Sequence, residues 1–351
     1  MAHTTRSHVL LAPYTSLKVG GPADTLVETD TYNEMLDILS TRDRKQPLTV
    51  LGFGSNSLIS DKGLSGTTVI WRGGAITFED QVAIADAGVW WDDVVTASIG
   101  RGLWGLELMS EIPSGVGGAI TGNIAAYGQQ ISDTLEWIEL YDTETKTVSQ
   151  HEKSEFVFEY RHSSLQDAPH LVVLRAAFRL GSHPLHELTY AAAVSVAQEL
   201  ECSVRTLEGR RTAIIETRSR AGSIYHPNDP AMLRTVGSFF KNPMVSTEQA
   251  LELATYDESG ATAERILQQN KIHGGSSHRA SAAHVLLAAG FNRGDTWGNV
   301  RLHPSHVLKL EALDGATASE IRRVVSMITT TVKEKLDITI VPEARFLGDF
   351  K

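Results

Sequence analysis

Two glycine-rich segments are the first places in this sequence where the residue types could do chemistry. One runs from Leu51 to Leu58 and reads Leu-Gly-Phe-Gly-Ser-Asn-Ser-Leu; the other runs from Ile112 to Gly128. Glycine lets the backbone approach a ligand closely, and successive backbone amides can form a concave anion-binding site. Tight turns are the alternative for either segment alone. Two such segments in one lobe favour the cradling of a pyrophosphate by backbone amides.

A third glycine pattern, Gly100-Arg-Gly-Leu-Trp-Gly105, has the G-x-G-x-x-G spacing of dinucleotide-binding folds. That fingerprint requires a strand before it and a helix that begins within it. Here a helix precedes it, because Asp92 and Asp93 begin an amphipathic pattern that Gly100 ends. We therefore interpret this pattern as a helix stop followed by a turn, and we exclude a Rossmann site.

The sequence around these segments predicts both strands and helices. The first half of the chain predicts short strands between glycine turns, and helical patterns dominate after a boundary near Gly181. A capping box at Thr317-Ala-Ser-Glu320 starts a long helix. A predicted strand at 338–340 then delivers Glu343. The fold class is α+β with at least two lobes. The other predicted strands are 48–51, 67–71, 81–87, 137–141, 147–148 and 171–180, and the other predicted helices are 190–200 and 213–220.

Composition excludes several classes of protein. The formal net charge is −10, which disfavours a nucleic-acid binder. The single cysteine, Cys202, allows no disulfide within the chain and no cysteine-built metal site. No apolar run reaches the roughly 20 residues of a membrane span, and the N-terminus has no signal-peptide pattern. We expect a soluble cytoplasmic protein that binds no nucleic acid, no membrane and no metal.

Seven short motifs occur in a fixed order along the chain. They are Tyr14-Thr-Ser-Leu-Lys-Val-Gly-Gly-Pro-Ala-Asp24, Gly52-Phe-Gly-Ser-Asn56, Gly105-Leu-Glu-Leu-Met109 with Ile112-Pro-Ser-Gly-Val-Gly117, Asn123-Ile-Ala-Ala-Tyr-Gly128, Tyr160-Arg-His-Ser163, Gly237-Ser-Phe-Phe-Lys-Asn-Pro243 and Pro342-Glu-Ala-Arg345. This series resembles the family of UDP-N-acetylenolpyruvoylglucosamine reductases, also called UDP-N-acetylmuramate dehydrogenases, in its long form with a tyrosine loop. The resemblance runs from Tyr14 to Gly348.

This resemblance implies an FAD-binding lobe of the vanillyl-alcohol-oxidase (PCMH) type, made of two subdomains, over 14–182. A smaller α+β substrate-binding lobe follows over 183–348. It also implies a flavin-dependent oxidoreductase of peptidoglycan precursor synthesis, active as a monomer. NADPH reduces a non-covalently bound FAD, whose N5 gives hydride to the enolpyruvyl methylene carbon of the UDP-sugar substrate; the adjacent carbon is then protonated. The chain departs from the family at Ser114, Gly122 and Ala125, which bear on individual flavin contacts.

The family motifs, carried over residue by residue, imply three catalytic groups. Ser238 is the general acid that protonates the carbon beside the carboxylate. Glu343 is a second acid/base group. Arg161 offers the planar, permanently charged fork that a carboxylate and its enolate require. Turn residues and surface ion pairs are the ordinary roles of such residue types, and the motifs shift the interpretation to function.

The resemblance also implies two binding sets. The substrate set is Tyr190, Lys241, Asn242 and Arg218, with a solvated helix face as the alternative for Arg218 and its neighbour Arg220. The cofactor set is Gly52, Gly54, Ser55, Asn56, Ser57, Ile112, Pro113, Ser114, Gly117, Gly118, Asn123, Tyr127 and Gly128.

Two alternatives stay open. His303-Pro-Ser-His306 could suggest a metal, but without further ligands we interpret both as neutral histidines on or near a strand, with His306 within reach of substrate. The alternative function is another FAD-dependent oxidase or dehydrogenase on the same flavin lobe, which would lack the Gly-Ser-Phe-Phe-Lys-Asn-Pro motif. A third class is a non-catalytic flavin or sugar-nucleotide binder, which would have no need of an acid.

Overall fold

The computed structural model describes residues 4–225, 232, 234–257 and 279–351. The chain forms two compact units. Unit 1 comprises Met1–Val9, Ala23–Phe53 and Ser65–His226. Unit 2 comprises Leu10–Pro22, Gly54–Leu64 and Pro227–Lys351. By its contacts, the segment 183–226 therefore belongs with the first unit. The division into functional domains after residue 182 stays a prediction.

Unit 1 is built around two sheets and five helices. A four-stranded sheet has the order β1-β2-β5-β3, and a five-stranded sheet has the order β11-β10-β14-β7-β6. Their strands are β1 Thr5–Leu10, β2 Pro22–Thr29, β3 Leu48–Leu51, β5 Leu64–Trp71, β6 Ile76–Glu79, β7 Val82–Asp86, β10 Leu135–Asp142, β11 Thr147–Glu152 and β14 Leu171–Arg179. The helices are α1 Tyr32–Thr41, α2 Trp91–Ile99, α3 Val116–Thr121, α4 Ala191–Glu199 and α5 Leu207–Arg220. Two small hairpins join β8 Ala125–Ala126 to β9 Gln129–Gln130, and β12 Phe158–Glu159 to β13 His162–Ser163.

The core of unit 1 follows from apolar runs in the sequence. Strand β14 is buried along most of its length, as expected of a strand covered on both faces. Trp91 is fully buried at the start of α2 and meets Phe178 of β14 edge to face at 5.7 Å. The predicted helix that Gly100 ends is confirmed, and the glycine pattern after it continues as a turn in which Gly102 adopts φ 71°. Strand β6 was not anticipated.

The Gly105–Met109 motif contains a buried ion pair. Glu107 and Arg210 are both almost inaccessible, and their side chains lie 3.0 Å apart. The Glu107 carboxylate also accepts the N–H of Gly105 at 2.8 Å. The Arg210 guanidinium donates to the carbonyls of Val204 and His186. These hydrogen bonds compensate for the cost of taking both charges out of water. Since Arg210 belongs to α5 and Glu107 to the 107–109 turn, the ion pair also holds the helix against that turn within unit 1.

Unit 2 is a four-stranded sheet covered by helices. The sheet has the order β15-β18-β17-β16, and a separate parallel pair joins β19 to β4. Helix α8 (Ala318–Leu336), the longest among the described residues, buries Ile321, Val324, Val325, Ile328 and Val332 at helical spacing. The strands are β4 Ser57–Ile59, β15 Thr235–Ser238, β16 Thr296–Trp297, β17 Val300–His303, β18 His306–Ala312 and β19 Arg345–Leu347. The helices are α6 Thr247–Ala254, α7 Ala282–Ala288 and α8 Ala318–Leu336.

Two predictions about the end of the chain need correction. Thr317 caps α8 as expected by accepting the N–H of Glu320, but the Glu320 carboxylate accepts the N–H of Asn299 instead of closing a capping box. The segment 338–340 alternates in burial, yet it is not a strand; the strand of this region is β19, after Glu343. In the first case a residue 21 positions away takes the carboxylate that would have closed the box. Among the residues described, no helix combines the length and apolar character needed to span a bilayer.

Candidate active site

The predicted pyrophosphate segment 51–58 is divided between the two units, and each part has its own environment. In unit 1, Gly52 follows β3 and has open space where a Cβ would lie. The Arg72 guanidinium donates to the Gly52 carbonyl at 2.9 Å and lies 5.2 Å from the centre of the Phe53 ring. No sequence motif pointed to Arg72. It braces the turn from which the predicted cofactor contacts project.

In unit 2, the continuation of this segment holds the loop that carries Glu343. The Asn56 side chain donates to the Glu343 carbonyl at 3.3 Å, and the Asn56 carbonyl accepts the N–H of Arg345 at 3.0 Å. Ser57 then pairs with Arg345 as β4 and β19 run parallel. Gly54 adopts φ 60°, and a Cβ there would lie 2.2 Å from the Tyr14 carbonyl. These contacts give Asn56 a positioning role toward the proposed acid.

The second glycine segment packs tightly against the end of β7. The N–H groups of Val116 and Gly117 donate to the carbonyls of Val89 and Ala87, both at 2.9 Å. Added Cβ atoms on Gly115 and Gly117 would lie 3.3 Å and 3.0 Å from Ala87. Part of the glycine density thus serves internal packing. The Val116 and Gly117 amides are already engaged inside the protein, whereas Gly118 is exposed.

Residues 112–128 offer backbone amides and hydroxyl groups that fit the binding of FAD. The segment contains no Lys, Arg, Asp or Glu, so a bound diphosphate would have to be held by backbone amides and hydroxyls. Outside its own helix backbone, and among the residues that the structure describes, an added Gly118 Cβ would meet only the Ser114 hydroxyl, at 3.1 Å, so the backbone there is open to close approach. Ile112, Pro113 and Ser114 are all partly exposed beside it. These residues fit the cofactor, and their individual contacts stay predictions.

Asn123 joins the glycine segment to the hairpin that carries Arg161. Its side chain is 1% exposed, and its amide donates to the Glu159 carbonyl at 2.7 Å. Ser163 and Gln166 both donate to the carbonyl of Thr121, each at 2.8 Å. The buried position of Asn123 makes it a support for the hairpin; its predicted role as a cofactor contact is untested.

Arg161 lies in the two-residue turn between β12 and β13. The flanking residues Glu159 and His162 pair across the turn, and Arg161 adopts φ 55°. A left-handed conformation is uncommon for a non-glycine residue and indicates a turn that its surroundings hold in place. The guanidinium carbon lies 5.9 Å from the centre of the Tyr160 ring. The hairpin thus presents Arg161 at its tip.

Three residues predicted for different ligands meet in unit 1. Tyr127 and Gly128 form a hairpin turn with φ of 51° and 94°, the conformation of a type I′ turn. The Tyr127 ring meets the Tyr190 ring edge to face at 5.1 Å. Burial raises the pKa of Tyr127, against the opposing effect of the Arg218 guanidinium, which is hydrogen-bonded to it. Burial also lowers the pKa of Arg218. Arg220, in contrast, is exposed and pairs with Glu216 and Glu199, so the solvated-face interpretation applies to it.

Ser238 ends strand β15 directly after a β-bulge. Thr235 pairs with Glu311 and Ser238 pairs with Lys309, so β15 has one residue more than β18 in this interval. Regular pairing would place Ser238 opposite Leu308, which is buried in the apolar core. The bulge instead places Phe239 in that core, with its N–H donating to the Leu308 carbonyl at 2.8 Å. Ser238 is thereby exposed on the other face of the sheet.

Glu343 is held beside Ser238 by backbone pairing. The N–H of Glu343 donates to the carbonyl of Phe239 at 2.8 Å, and the N–H of Lys241 donates to the carbonyl of Val341 at 2.9 Å. Two residues predicted to do acid/base chemistry, far apart in sequence, therefore lie on hydrogen-bonded neighbouring segments of unit 2. Glu343 is half-buried.

Asn242 and the two histidines have structural contacts that the sequence did not reveal. The Asn242 side-chain oxygen accepts the N–H of Ala282 at 2.9 Å and so caps α7. His303 and His306 pair across the turn between β17 and β18. Nδ1 of His306 accepts the N–H of Leu308 at 3.2 Å, which places the proton of the neutral ring on Nε2. Burial, followed by the charges of Lys309 and Arg293, lowers the pKa of His306 to about 4.

Comparison with known proteins identifies the family. The profile described as UDP-N-acetylenolpyruvoylglucosamine reductase, C-terminal domain, matches residues 229–347, and an FAD binding domain profile matches residues 23–149. The reductase of that name from Mycobacterium marinum is 32% identical, with 97% of this chain and 94% of that protein covered. The chain belongs to the UDP-N-acetylenolpyruvoylglucosamine reductase family. The reductase from Thermobifida fusca is 30% identical, with 97% of each chain covered.

The fold of the family is also found among solved structures. The crystal structure of UDP-N-acetylenolpyruvylglucosamine reductase from Thermus caldophilus aligns with a TM-score of 0.63 over 99% of this chain and 100% of that one, at 23% identity. The expected fold class, an FAD-binding domain with a second α+β domain, is confirmed, as is the family. The chain is an FAD-dependent oxidoreductase of the UDP-N-acetylenolpyruvoylglucosamine reductase family.

Proposed function

We propose that this protein reduces UDP-N-acetylenolpyruvoylglucosamine to UDP-N-acetylmuramate with electrons from NADPH, as a step of peptidoglycan precursor synthesis. When bound, FAD accepts the electrons of NADPH and supplies hydride to the substrate double bond. The observation that carries the proposal is the pairing of the Ser238 and Glu343 segments, Phe239 carbonyl to Glu343 N–H at 2.8 Å, inside the C-terminal domain typical of this family.

Ser238 supplies the proton in this scheme. Hydride addition to the methylene carbon leaves negative charge on the neighbouring carbon, which carries the carboxylate. A hydroxyl directed at that carbon quenches the charge as a general acid. The bulge before Ser238 supports this role, because it turns the side chain away from the apolar core to the exposed face of the sheet.

Glu343 and Arg161 handle the carboxylate end of the substrate. A carboxylic acid held beside a developing enolate can donate a hydrogen bond to it. The Asn56 amide and the Phe239 carbonyl fix the backbone of Glu343, so its side chain starts from a rigid position. Arg161 offers two parallel N–H donors to a carboxylate and stabilises charge as it builds up. The support for Arg161 is its presentation at the tip of a braced hairpin turn.

The nucleotide sugar binds through aromatic and cationic groups. Tyr190 and Arg218, both of the substrate set, meet at Tyr127 of the cofactor set, so a guanidinium and a phenol group lie together and suit the binding of a diphosphate. Lys241 and Asn242 follow Ser238 on the same segment and are assigned to the sugar nucleotide. The single cysteine suits a reducing compartment. We place the enzyme in the cytoplasm as a monomer.

The test separates the two half-reactions in Ser238→Ala. Flavin reduction by NADPH should proceed at nearly the wild-type rate. Reoxidation by the UDP-sugar enolpyruvyl ether without oxygen should slow by roughly 10²–10⁴-fold, the contribution of a general acid. Ser238→Cys should recover part of the rate. If wild-type reduced flavin is not reoxidised by this substrate, the proposed function is wrong. If Ser238→Ala slows the NADPH step and leaves reoxidation unchanged, the role of Ser238 is wrong.

A further inference from the structure

The bulge that exposes Ser238 also places it directly opposite a lysine. Ser238 and Lys309 are cross-strand partners on β15 and β18. Side chains directly opposite in an antiparallel pair lie on the same face, with Cβ atoms about 4.5–5.5 Å apart. The side chains of Ser238, the proposed proton donor, and Lys309 therefore leave the backbone side by side on one face of the unit 2 sheet.

Lys309 is an unusual residue for this place in the sheet. It is 2% exposed, although lysine is among the residue types least often buried, and its strand is otherwise almost wholly apolar at neighbouring positions. Glu311, two residues along on the same face, is bound by Arg301 at 2.7 Å. The Lys309 charge acts on its surroundings: after burial, it contributes to the lowered pKa of His306. A buried ammonium beside an exposed serine is thus built into the polar face of the sheet.

We propose that Lys309 is a positioning residue for the reduction, acting through Ser238. The inference rests on the proposed function. When Ser238 gives its proton to the substrate carbon, its oxygen is left with a negative charge that the Lys309 ammonium stabilises. The ammonium then returns a proton to that oxygen, and the lysine regains a proton from water. One hydride and one proton enter the substrate, and Ser238 and Lys309 end each turnover in their starting protonation states.

The experiment compares three lysine variants in the two half-reactions, followed by flavin absorbance. Lys309→Met removes the charge and keeps the stem, whereas Lys309→Arg keeps a permanent charge. Lys333→Met is the matched control, since Lys333 lies on α8 in an exposed ion pair with Asp337. We expect Lys309→Met to slow substrate-driven reoxidation roughly tenfold or more at saturating substrate, with KM changed less than about threefold. Lys309→Arg should recover most of that rate, and Lys333→Met should match wild type.

A second readout separates proton supply from structural damage. If Lys309 assists proton transfer, the solvent deuterium isotope effect on reoxidation should be larger in Lys309→Met than in wild type, while NADPH-driven reduction keeps its wild-type rate. The inference is overturned if Lys309→Met reoxidises at the wild-type rate, if only KM rises, or if both Lys309 variants slow both half-reactions equally. Failure of wild-type reoxidation by the UDP-sugar would instead refute the proposed function itself.

Discussion

Gly237 should control whether Ser238 can act, because it lies in the bulge that sets the side-chain face. Its φ of 79° is in the left-handed region, and no atom of the described residues lies within 4 Å of where a Cβ would be. A substitution here therefore costs free energy through the backbone conformation, and not through a steric clash with neighbouring residues. A left-handed residue with a Cβ costs about 1–2 kcal/mol, less for Asn and more for a β-branched residue. Without the bulge, the register shifts by one and Ser238 faces the apolar core.

We expect Gly237→Val to lower the free energy of unfolding by about 2 kcal/mol or more and to slow substrate-driven flavin reoxidation far more than NADPH-driven reduction. Gly237→Asn is the control, because asparagine adopts the left-handed conformation more readily than valine. It should lower the unfolding free energy and the reoxidation rate less than Gly237→Val does. Urea unfolding and stopped-flow absorbance of each half-reaction provide the values. The reasoning about the bulge is refuted if Gly237→Val reoxidises with substrate at the wild-type rate, or if Gly237→Asn is as damaging as Gly237→Val.

Three other outcomes follow from the geometry. Arg161→Lys keeps the charge but loses the bidentate donor, so substrate reduction should be severely impaired while flavin reduction by NADPH persists. If NADPH oxidation coupled to substrate stays near the wild-type rate, Arg161 does not bind the substrate carboxylate. Arg210→Met leaves the buried Glu107 unpaired and should cost about 3–5 kcal/mol of unfolding free energy in urea titrations, partly recovered when Glu107→Gln is added. Because burial lowers the pKa of His306 to about 4 from 6.5, the unfolded chain binds more protons between these values. Stability should therefore fall by up to about 3 kcal/mol as pH drops through that window, and His306→Gln should remove this component from the pH dependence of unfolding.

Local pattern predicted several elements whose hydrogen bonds close within the element or between sequence neighbours. The helix that begins at Trp91, the hairpin of β10 and β11 and the Thr317 cap were expected and are confirmed. Strand β14 was also predicted correctly, from its continuous apolar run, although its partners β10 and β7 lie far away in the sequence. Each depends on an apolar period or a capping residue that lies within a few positions of the structure it specifies. The seven ordered motifs went further and predicted the family, which the relatives confirm.

The sequence did not reveal the hydrogen-bond partners of the polar residues in the predicted site segments. Asn56, expected at the cofactor, bonds to the Glu343 carbonyl. Asn123, expected there too, is buried beneath the Arg161 hairpin. Glu107, in a motif without an assigned role, pairs with Arg210. Each partner lies between 36 and 287 positions away, and side-chain bonding at such separation leaves no periodic trace in the chain.

The amino-acid sequence is enough to establish the composition class, the secondary-structure periods and the motif series of a flavin-dependent reductase. The tertiary structure alone decided the faces and neighbours on which the chemistry depends. Strand alternation has a period of two, so the register of Ser238 fixes whether its hydroxyl faces the core or the exposed surface. A single extra residue in β15 reverses that choice and brings Lys309 opposite. The backbone bond from Glu343 to Phe239 exists only because segments about a hundred residues apart pack side by side.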